Sequence, residues 1–394
     1  MPDIEVRRVQ GEALIQDYAA ISEYSFMATP PLRNDEQRRE SLARLTERIM
    51  CILYEDGRPM TTTAVIPMTQ QVRGKIYPMA GIASVASHPM GRRKGYVRQT
   101  IVHALKLAHD KGDIVSSLYP FRESFYQRMG YVSFPQFYDY EFNPATLTNL
   151  AKQDIDGDYD LMIAQDGFEH YEQFVAAMQT RTHGMALSPE KHAREWHSRT
   201  DRWLLLATYQ GEPVGLMTYY IDGYQGTLTA RNFLYHTARG RYLLLGWLAR
   251  HTDQVSTVRI RSGATENPQS WLADMNPVAR EWVWGNYPMG RVLDVRRLDG
   301  MTTGDGHFTA KISDPLCEWN NGIFSFDTFD GKLTVSEAEN ADCDLTIQGL
   351  SALIYGTHDP DSFEFLGWGN PSHEIQAAMQ TIFPTMRPYM YEAF

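Results

Sequence analysis

A mixed α/β chain in three successive segments is what this sequence predicts, and three observations carry that expectation. Strand-like and helix-like stretches alternate over residues 1–150, and the alternation restarts over 151–288. Both runs keep one order: hairpin strands, a strand leading to a histidine, a basic turn, a helix, then another strand. From Met289 to Phe394 the texture changes to short strands with two helical stretches, an α+β unit. At 394 residues the chain is too long for one ordinary core, so domains over 1–150, 151–288 and 289–394 are expected.

The first segment opens with helical patterns over Ala13–Phe26 and Asp35–Met50. Cys51–Glu55 reads as a short strand closed by the Asp56-Gly57 turn. Thr61–Val72 and Ile76–Ala86 are strand-like, and Arg73-Gly74-Lys75 joins them as a hairpin. Arg92–Lys111 reads as a helix, with Val97, Ile101, Ala104, Leu105 and Ala108 at helical spacing. Ile114–Leu118 is a buried-type strand, Glu123–Met129 a short helix and Tyr131–Phe142 an aromatic strand. The acids Asp154, Asp156 and Asp158 around Gly157 suggest a calcium loop only superficially. The glycine is misplaced and no bidentate glutamate follows at the right distance, so a linker is expected.

In the second segment Leu161–Ala164, Trp203–Tyr209, Pro213–Ile221, Thr227–Leu234 and Thr257–Arg261 read as strands. Glu169–Thr180 and Gly240–Thr252 read as helices. The repeated order suggests an internal duplication with little sequence identity. In the third, Val292–Arg296, His307–Ile312, Gly322–Asp327, Lys332–Ser336 and Cys343–Ile347 are expected strands, and Leu350–Tyr355 and Pro371–Ile382 expected helices.

Hydrophobic content of 43% and charged content of 22% are those of an ordinary globular protein. A net charge of −11 argues against a general nucleic-acid surface and suits a cationic small-molecule partner. Cys51, Cys317 and Cys343 are far apart with no Cys-x-x-Cys, so neither a disulfide framework nor a zinc site is expected. The opening MPDIEVRRVQGEALIQ carries acids early and shows no secretory signal. No apolar run approaches the ~20 residues of a membrane helix. A cytoplasmic protein without a membrane partner and without a bound metal is expected.

The stretch ASVASHPMGRRKGYVRQT, Ala83–Thr100, concentrates chemistry. A helix start has unpaired backbone N–H groups and a partial positive charge. A glycine there admits close backbone approach, and Arg92, Arg93, Lys94 and Arg98 add charge. A pyrophosphate site is one reading; an exposed, solvated turn is the other. Neither the Walker pattern nor Gly-x-Gly-x-x-Gly is present. The preceding strand, Ile82–Ala86, has backbone to offer an extended ligand arm.

Downstream lies Phe125-Tyr126-Gln127-Arg128-Met129-Gly130-Tyr131. Together with the Arg-x-x-Gly helix start, this Phe-Tyr-x-x-x-Gly-Tyr pattern resembles the GNAT acetyltransferase superfamily. That likeness implies that Arg92–Arg98 cradle the pyrophosphate of acetyl-CoA and that Tyr126 protonates the departing thiolate. The superfamily often has Gly or Ala where this chain has Val97, which could narrow the approach. The whole chain resembles the Eis (enhanced intracellular survival) family: tandem GNAT-type domains followed by a sterol-carrier-protein-like α+β domain. In that family the C-terminal residue, often Phe, places its carboxylate in the active site, and this chain ends Tyr391-Glu392-Ala393-Phe394. In the second GNAT-like segment His236–Leu243 echoes the cofactor loop with the spacing lost, so scaffold or pocket wall is expected there.

The resemblance thus implies an acetyl-CoA-dependent N-acetyltransferase acting on primary amines of a polyamine-type acceptor such as an aminoglycoside. A protein-lysine acetyltransferase and a non-catalytic CoA- or lipid-binding scaffold are the alternatives. Tyr126 is the expected acid, with an ordinary phenol pKa of about 10 near that of the thiol. The α-carboxylate of Phe394 is the expected base or ammonium holder. The Val85 or Ala86 N–H is the expected oxyanion donor. Val85, Ala86, Ser87, Arg93, Lys94, Gly95, Tyr96, Val97, Arg98, Phe121 and Arg122 are the expected cofactor-binding residues. Phe26 and Glu392 are the expected acceptor-site residues, with Tyr24 and the acids of Asp35–Glu40 as further candidates. A ring-type homo-oligomer, commonly a hexamer, is implied by the same likeness.

Overall fold

Strands β1 (Ile4–Val9), β2 (Ile49–Glu55), β3 (Arg58–Val72) and β4 (Lys75–Ser87) pair antiparallel in that order, and β5 (Val115–Leu118) adds in parallel to β4. The structure is a computed structural model. It describes all residues except 1, 12, 28–35, 37–47, 136, 189–195, 197–198, 264 and 282–286. The expected hairpin turns at Arg73-Gly74, both with positive φ. β2 is buried from Ile49 through Tyr54, as an apolar run covered on both faces should be. Ile49 and Met50, at the end of the helix expected over Asp35–Met50, belong to β2; apart from Glu36 and Arg48, the rest of that expected helix lies outside the described residues.

Helix α1 (Ala19–Met27) follows a single π turn, Leu14–Tyr18. Helix α2 (Tyr96–Lys111) buries Tyr96, Thr100, Ile101, Ala104, Leu105 and Ala108, one face at helical spacing. Its core partners include Ile82, Leu118 and Tyr126. The short α3 (Glu123–Gln127) and β6 (Val132–Ser133) follow. The single strand expected over Tyr131–Phe142 is two: β6 joins the first sheet and β7 (Tyr138–Phe142) another, with Pro135 between them.

The chain divides into two compact units. One comprises Met1–Phe134, His183–Ala186 and Gly285–Phe394; the other comprises Pro135–Thr182 and Leu187–Trp284. The second stretch contains α4 (Thr148–Ala151), β8 (Asp158–Ile163), α5 (Phe168–Gln179), β9 (Ala186–Leu187), β10 (Trp203–Tyr209) and β11 (Glu212–Ile221). It continues with β12 (Thr227–Tyr235), α6 (Ala238–Ala249), β13 (Thr257–Ser262) and β14 (Val278–Glu281). Its sheet runs β14-β7-β13-β12-β11-β10-β8. As in the first sheet, a hairpin strand (β12) meets a parallel neighbour (β13) after a crossover helix.

The third stretch begins with β15 (Met289–Val292), which inserts between β5 and β6 of the first sheet. A strand was expected slightly later, over Val292–Arg296; Val295–Arg297 instead form a 3-10 turn. The separate sheet β18-β17-β16-β19 comprises β16 (His307–Ser313), β17 (Gly322–Phe329), β18 (Lys332–Glu337) and β19 (Cys343–Thr346). Helices α7 (Ile347–Tyr355), α8 (Phe363–Leu366) and α9 (His373–Ile382) complete it. All three cysteines are buried free thiols. No described helix is long and apolar enough to cross a membrane. Among the described residues no group of His, Cys, Asp and Glu could hold a metal ion.

Candidate active site

The site begins where β4 and β5 part. Their ladder runs through Gly81↔Ser117 and Ile82↔Leu118 and then stops. On the other side, β3 pairs Thr62↔Ala86 and Ala64↔Ala83, so Ser84 and Val85 face the single Thr63. This is a β-bulge, which re-aims a strand and increases its twist. Ser84 adopts a left-handed φ of +52°. The Thr62 hydroxyl donates to the Ser84 carbonyl at 2.9 Å, and the Tyr18 hydroxyl donates to Ser84 Oγ at 3.0 Å. Ala86 and Ser87 thus keep β3 on one edge, Val85 lies in the bulge beside them, and β5 has left the other edge. Backbone groups on such an edge are available to an extended ligand arm.

The basic turn leads to the start of α2. The expected helix over Arg92–Lys111 begins only at Tyr96, because Arg93 and Gly95 have left-handed φ of +62° and +79°. Gly95 caps the helix with no side-chain acceptor, and the first turn carries no acid. The Gln99 N–H donates to the Gly95 carbonyl at 3.3 Å. The N–H groups of Tyr96, Val97 and Arg98 precede that bond and lack a place in the helical ladder. A Cβ at Gly95 would meet nothing within 4 Å, so φ rather than crowding calls for glycine, and the approach is open.

The side chains of this turn divide. Arg92, Arg93 and Arg98 are exposed, and Arg98 Nη2 donates to the Pro315 carbonyl at 3.4 Å. Lys94 Nζ lies 2.8 Å from Glu55, and the Tyr96 hydroxyl donates to the same carboxylate at 2.5 Å. That bond pushes the Tyr96 phenol up to about 12. Lys94 and Tyr96 therefore offer an anion their backbone N–H groups, while their side chains are turned to Glu55. Val97 packs against the buried cluster of Ile82, Ile101 and Tyr126. The residue that departs from the family pattern thus sends its side chain inward.

Tyr126 sits on α3 and is 2% exposed. Its ring meets Phe121, Phe125 and Tyr131 edge-on at centroid distances of 5.5, 5.1 and 6.1 Å. Burial pushes its phenol well above the ordinary value. The proton is thereby secured at neutral pH, but transfer to a thiolate is less balanced than an unperturbed phenol would give. Gly130 has φ +91°, and a Cβ there would lie 2.8 Å from Arg291 Nη1. Arg291 is fully buried, paired with Asp314, and donates to the Met129 carbonyl at 2.6 Å. The Tyr131 hydroxyl is engaged by Ser116 Oγ at 2.8 Å. The Gly-Tyr end of the motif is therefore packing around a buried ion pair. Phe121, 64% exposed, and the exposed Arg122 precede α3.

The chain terminus arrives at the same place. A Cβ on Gly81 would lie 3.1 Å from Phe394 Cε2 and 2.8 Å from Met68 Sδ, so the missing side chain seats the terminal ring. Tyr119 meets Phe394 edge-on at 5.6 Å and donates from its hydroxyl to the Glu392 carbonyl at 3.0 Å. Glu392 is buried, and Met390 is fully so. Gly81 and Tyr119 are absent from the sequence-derived site. A lone glycine within the apolar strand Tyr77–Ala86 was the available signal, since it marks close approach. Phe26 and Tyr24 lie on α1, 63% and 51% exposed. No described ring contact joins either to Phe394. Glu36 is exposed, and the remaining acids of the Asp35–Glu40 group lie outside the described residues.

Residues 5–133 and 187–292 each match an acetyltransferase (GNAT) domain, and 290–391 match a sterol carrier protein domain. No curated protein matches the chain. A GCN5-related N-acetyltransferase structure from Anabaena variabilis superposes with a TM-score of 0.86 at 18% identity, over 100% of both chains. One from Kribbella flavida gives 0.81 at 19% identity, over 100% of this chain and 99% of that one. Eis1 from Mycobacterium abscessus gives 0.78 at 18% identity, over 99% of this chain and 100% of that one. At these identities the likeness is one of fold.

Proposed function

We propose, from the premise that this chain is an N-acetyltransferase of tandem GNAT domains with a sterol carrier domain, that it moves the acetyl group of acetyl-CoA to primary amines of a polyamine-type acceptor. The observation that carries the reading is the seating of Phe394 on Gly81, beside the point where β4 and β5 separate. The terminal carboxylate and the buried Glu392 supply negative charge for an ammonium group, and aminoglycosides are acceptors of that chemistry. A lysine side chain is the competing acceptor. The Eis-like affiliation, a cytoplasmic location and a ring-type hexamer belong to the same proposal; three buried thiols accord with a reducing compartment.

The residues fit the co-substrate. The open start of α2, with free N–H groups at Tyr96, Val97 and Arg98 and the guanidiniums of Arg93 and Arg98, would hold the pyrophosphate. Val85, Ala86 and Ser87 would hydrogen-bond the pantetheine arm, and the Val85 or Ala86 N–H would face the oxyanion. Phe121 and Arg122 would flank the cofactor. Phe394 would hold the ammonium and receive, directly or through water, the proton it sheds on becoming an attacking amine. Tyr126 would give its proton to sulfur as the C–S bond breaks. The nitrogen loses a second proton as the amide forms. One of these two protons restores the phenol and one is released.

A free-thiol release assay tests this with an aminoglycoside, a polyamine, a lysine-bearing peptide and no acceptor. Wild type is compared with a chain lacking only Phe394. Release is expected with the first two amines and is expected to fall by about 100-fold without Phe394. Release with the peptide alone would move the assignment to lysine acetylation. Unchanged rates without Phe394 would remove the terminal carboxylate from the chemistry.

A further inference from the structure

The hairpin that joins β3 to β4 ends on a cation placed where sequence reasoning saw only a turn. Arg73 is 3% exposed, with φ +48°. Its Nε donates to the Ile354 carbonyl at 2.7 Å, and its Nη2 to the carbonyls of Leu353 at 2.8 Å and Pro384 at 2.9 Å. Its Nη1 lies 3.5 Å from Met386 Sδ, and the guanidinium stands over the Phe383 ring at 5.3 Å. Leu353 and Ile354 belong to the last turn of α7, where the helix dipole favours a cation; the Leu353 carbonyl also accepts the Gly356 N–H at 3.1 Å. Pro384, Met386 and Phe383 open the irregular tail that ends at Phe394. One side chain of the GNAT hairpin therefore holds both a helix end of the sterol carrier domain and the root of the C-terminal tail.

The surrounding bonds point the same way. The Arg73 N–H donates to His183 Nδ1 at 3.1 Å. With Nδ1 accepting, His183 Nε2 carries the proton and donates to the Tyr355 carbonyl at 2.9 Å. The His183 carbonyl in turn accepts the Tyr389 N–H at 2.8 Å, and the Gly356 carbonyl accepts the Met386 N–H at 3.0 Å. Burial pushes the His183 imidazole down to about 4, so the ring stays neutral beside the guanidinium. A second buried chain runs from Tyr355 to Gln70 at 2.8 Å and from Ser117 to Gln70 at 3.3 Å. Ser117 is the register partner of Gly81, on which Phe394 sits. The tail is thus fixed at its root by Arg73 and at its tip by Gly81, both on the same hairpin.

We propose that Arg73 is the positioning residue that sets the Phe394 carboxylate in the active site, acting by clamping residues 383–386 to the β3–β4 hairpin. Only a planar fork with several donors reaches three carbonyls and a thioether at once. Lysine keeps the charge but not the fork. The inference rests on the reading of Phe394 as an active-site group, so its test reads the tail apart from the chemistry.

Arg73→Lys and Arg73→Met are compared with wild type and with the chain lacking Phe394. Carboxypeptidase A release of the C-terminal phenylalanine reports how often the tail lifts off, because cleavage follows the open population. In Arg73→Lys, release is expected to accelerate about tenfold. Its kcat for thiol release is expected to fall about tenfold or more, with the acetyl-CoA KM within about twofold of wild type. Arg73→Met is expected to show larger changes in the same directions. If Arg73→Met does not fold, Arg73→Lys alone decides. Phenylalanine release at the wild-type rate in folded Arg73→Lys overturns the inference. So does faster release with unchanged kcat while the chain lacking Phe394 is inactive. Full activity of the chain lacking Phe394 would overturn the terminal-carboxylate role itself, and with it the positioning role, while the release rates would still show whether Arg73 anchors the tail.

Discussion

Helices α2 and α6 stand at the same place in two sheets of the same design, yet they begin in opposite ways. α2 starts on Gly95, left-handed, with no side-chain cap and no neighbour within 4 Å of where a Cβ would be. α6 starts on Thr237, whose Oγ1 accepts the Gly240 N–H at 3.2 Å. Gly240 itself is pressed on β11, and a Cβ there would lie 1.9 Å from the Val214 carbonyl oxygen. One glycine leaves room for a ligand; the other leaves room for the protein. The openings between strands differ too. Beyond Ala230↔Ile260, the last pair of β12 with β13, Phe233 and Tyr235 pack on Trp271 at 5.9 and 6.1 Å. Arg241 lies 5.5, 5.1 and 5.0 Å from the rings of Tyr235, Tyr242 and Trp271. A shared fold therefore implies no shared site. In the second sheet the Thr237 hydroxyl takes the Gly240 N–H at the helix start, and aromatic rings pack together beyond the last pair of β12 with β13.

The largest expected effect tests whether chemistry resides in the first unit alone. Tyr126→Phe should lower kcat by about 10²–10⁴-fold at saturating acetyl-CoA, with the acetyl-CoA KM little changed. Because burial raises the Tyr126 pKa, its protonated form persists to higher pH. The wild-type rate should then show no alkaline loss from this group up to about pH 10. A rate within about twofold of wild type in Tyr126→Phe would reduce the residue to a core aromatic.

The two glycines should fail differently. Gly240→Ala is expected to destabilise the fold by about 1–3 kcal/mol in denaturant titration, since the colliding atom is backbone. Its acetyl-CoA KM should stay near wild type. Gly95→Ala is expected to cost only about 1 kcal/mol of stability but to raise the acetyl-CoA KM by about tenfold, because the start of α2 must shift. Equal KM effects in the two variants would erase the distinction.

The smallest effects concern the basic residues. Arg93→Ala should raise the acetyl-CoA KM by about threefold, as expected of an exposed phosphate contact, and the increase should shrink at high salt. Arg241→Ala should leave that KM within about twofold while lowering the melting temperature, since its ring contacts are structural. A KM effect from Arg241→Ala as large as that from Arg93→Ala would mean that the second unit also serves the cofactor.

Sequence patterns anticipated different parts of the molecule with different success. The hairpin around Arg73-Gly74 and the buried face of α2 were legible because turn chemistry and helical period are local properties. The motifs at Arg92–Arg98 and Phe125–Tyr131 were legible as patterns, but not the division of labour within them. That Lys94 and Tyr96 turn to Glu55 depends on a strand about forty residues earlier in the chain. That Gly130 is required by Arg291 depends on a strand inserted from the third stretch.

The sequence by itself determined the elements whose cause lies within a few neighbours: the alternation of strand and helix, the hairpin turn at Arg73-Gly74, and the change of texture at Met289. Tertiary structure alone decided which distant pieces meet: β15 in the first sheet, Arg73 on the C-terminal tail, and Phe394 on Gly81. The physical reason is the range of the forces. Backbone sterics and side-chain periodicity act over one or two turns. A buried guanidinium or a glycine seat gains its meaning only from the atom that packs against it, which here comes from about 160 to more than 300 residues away.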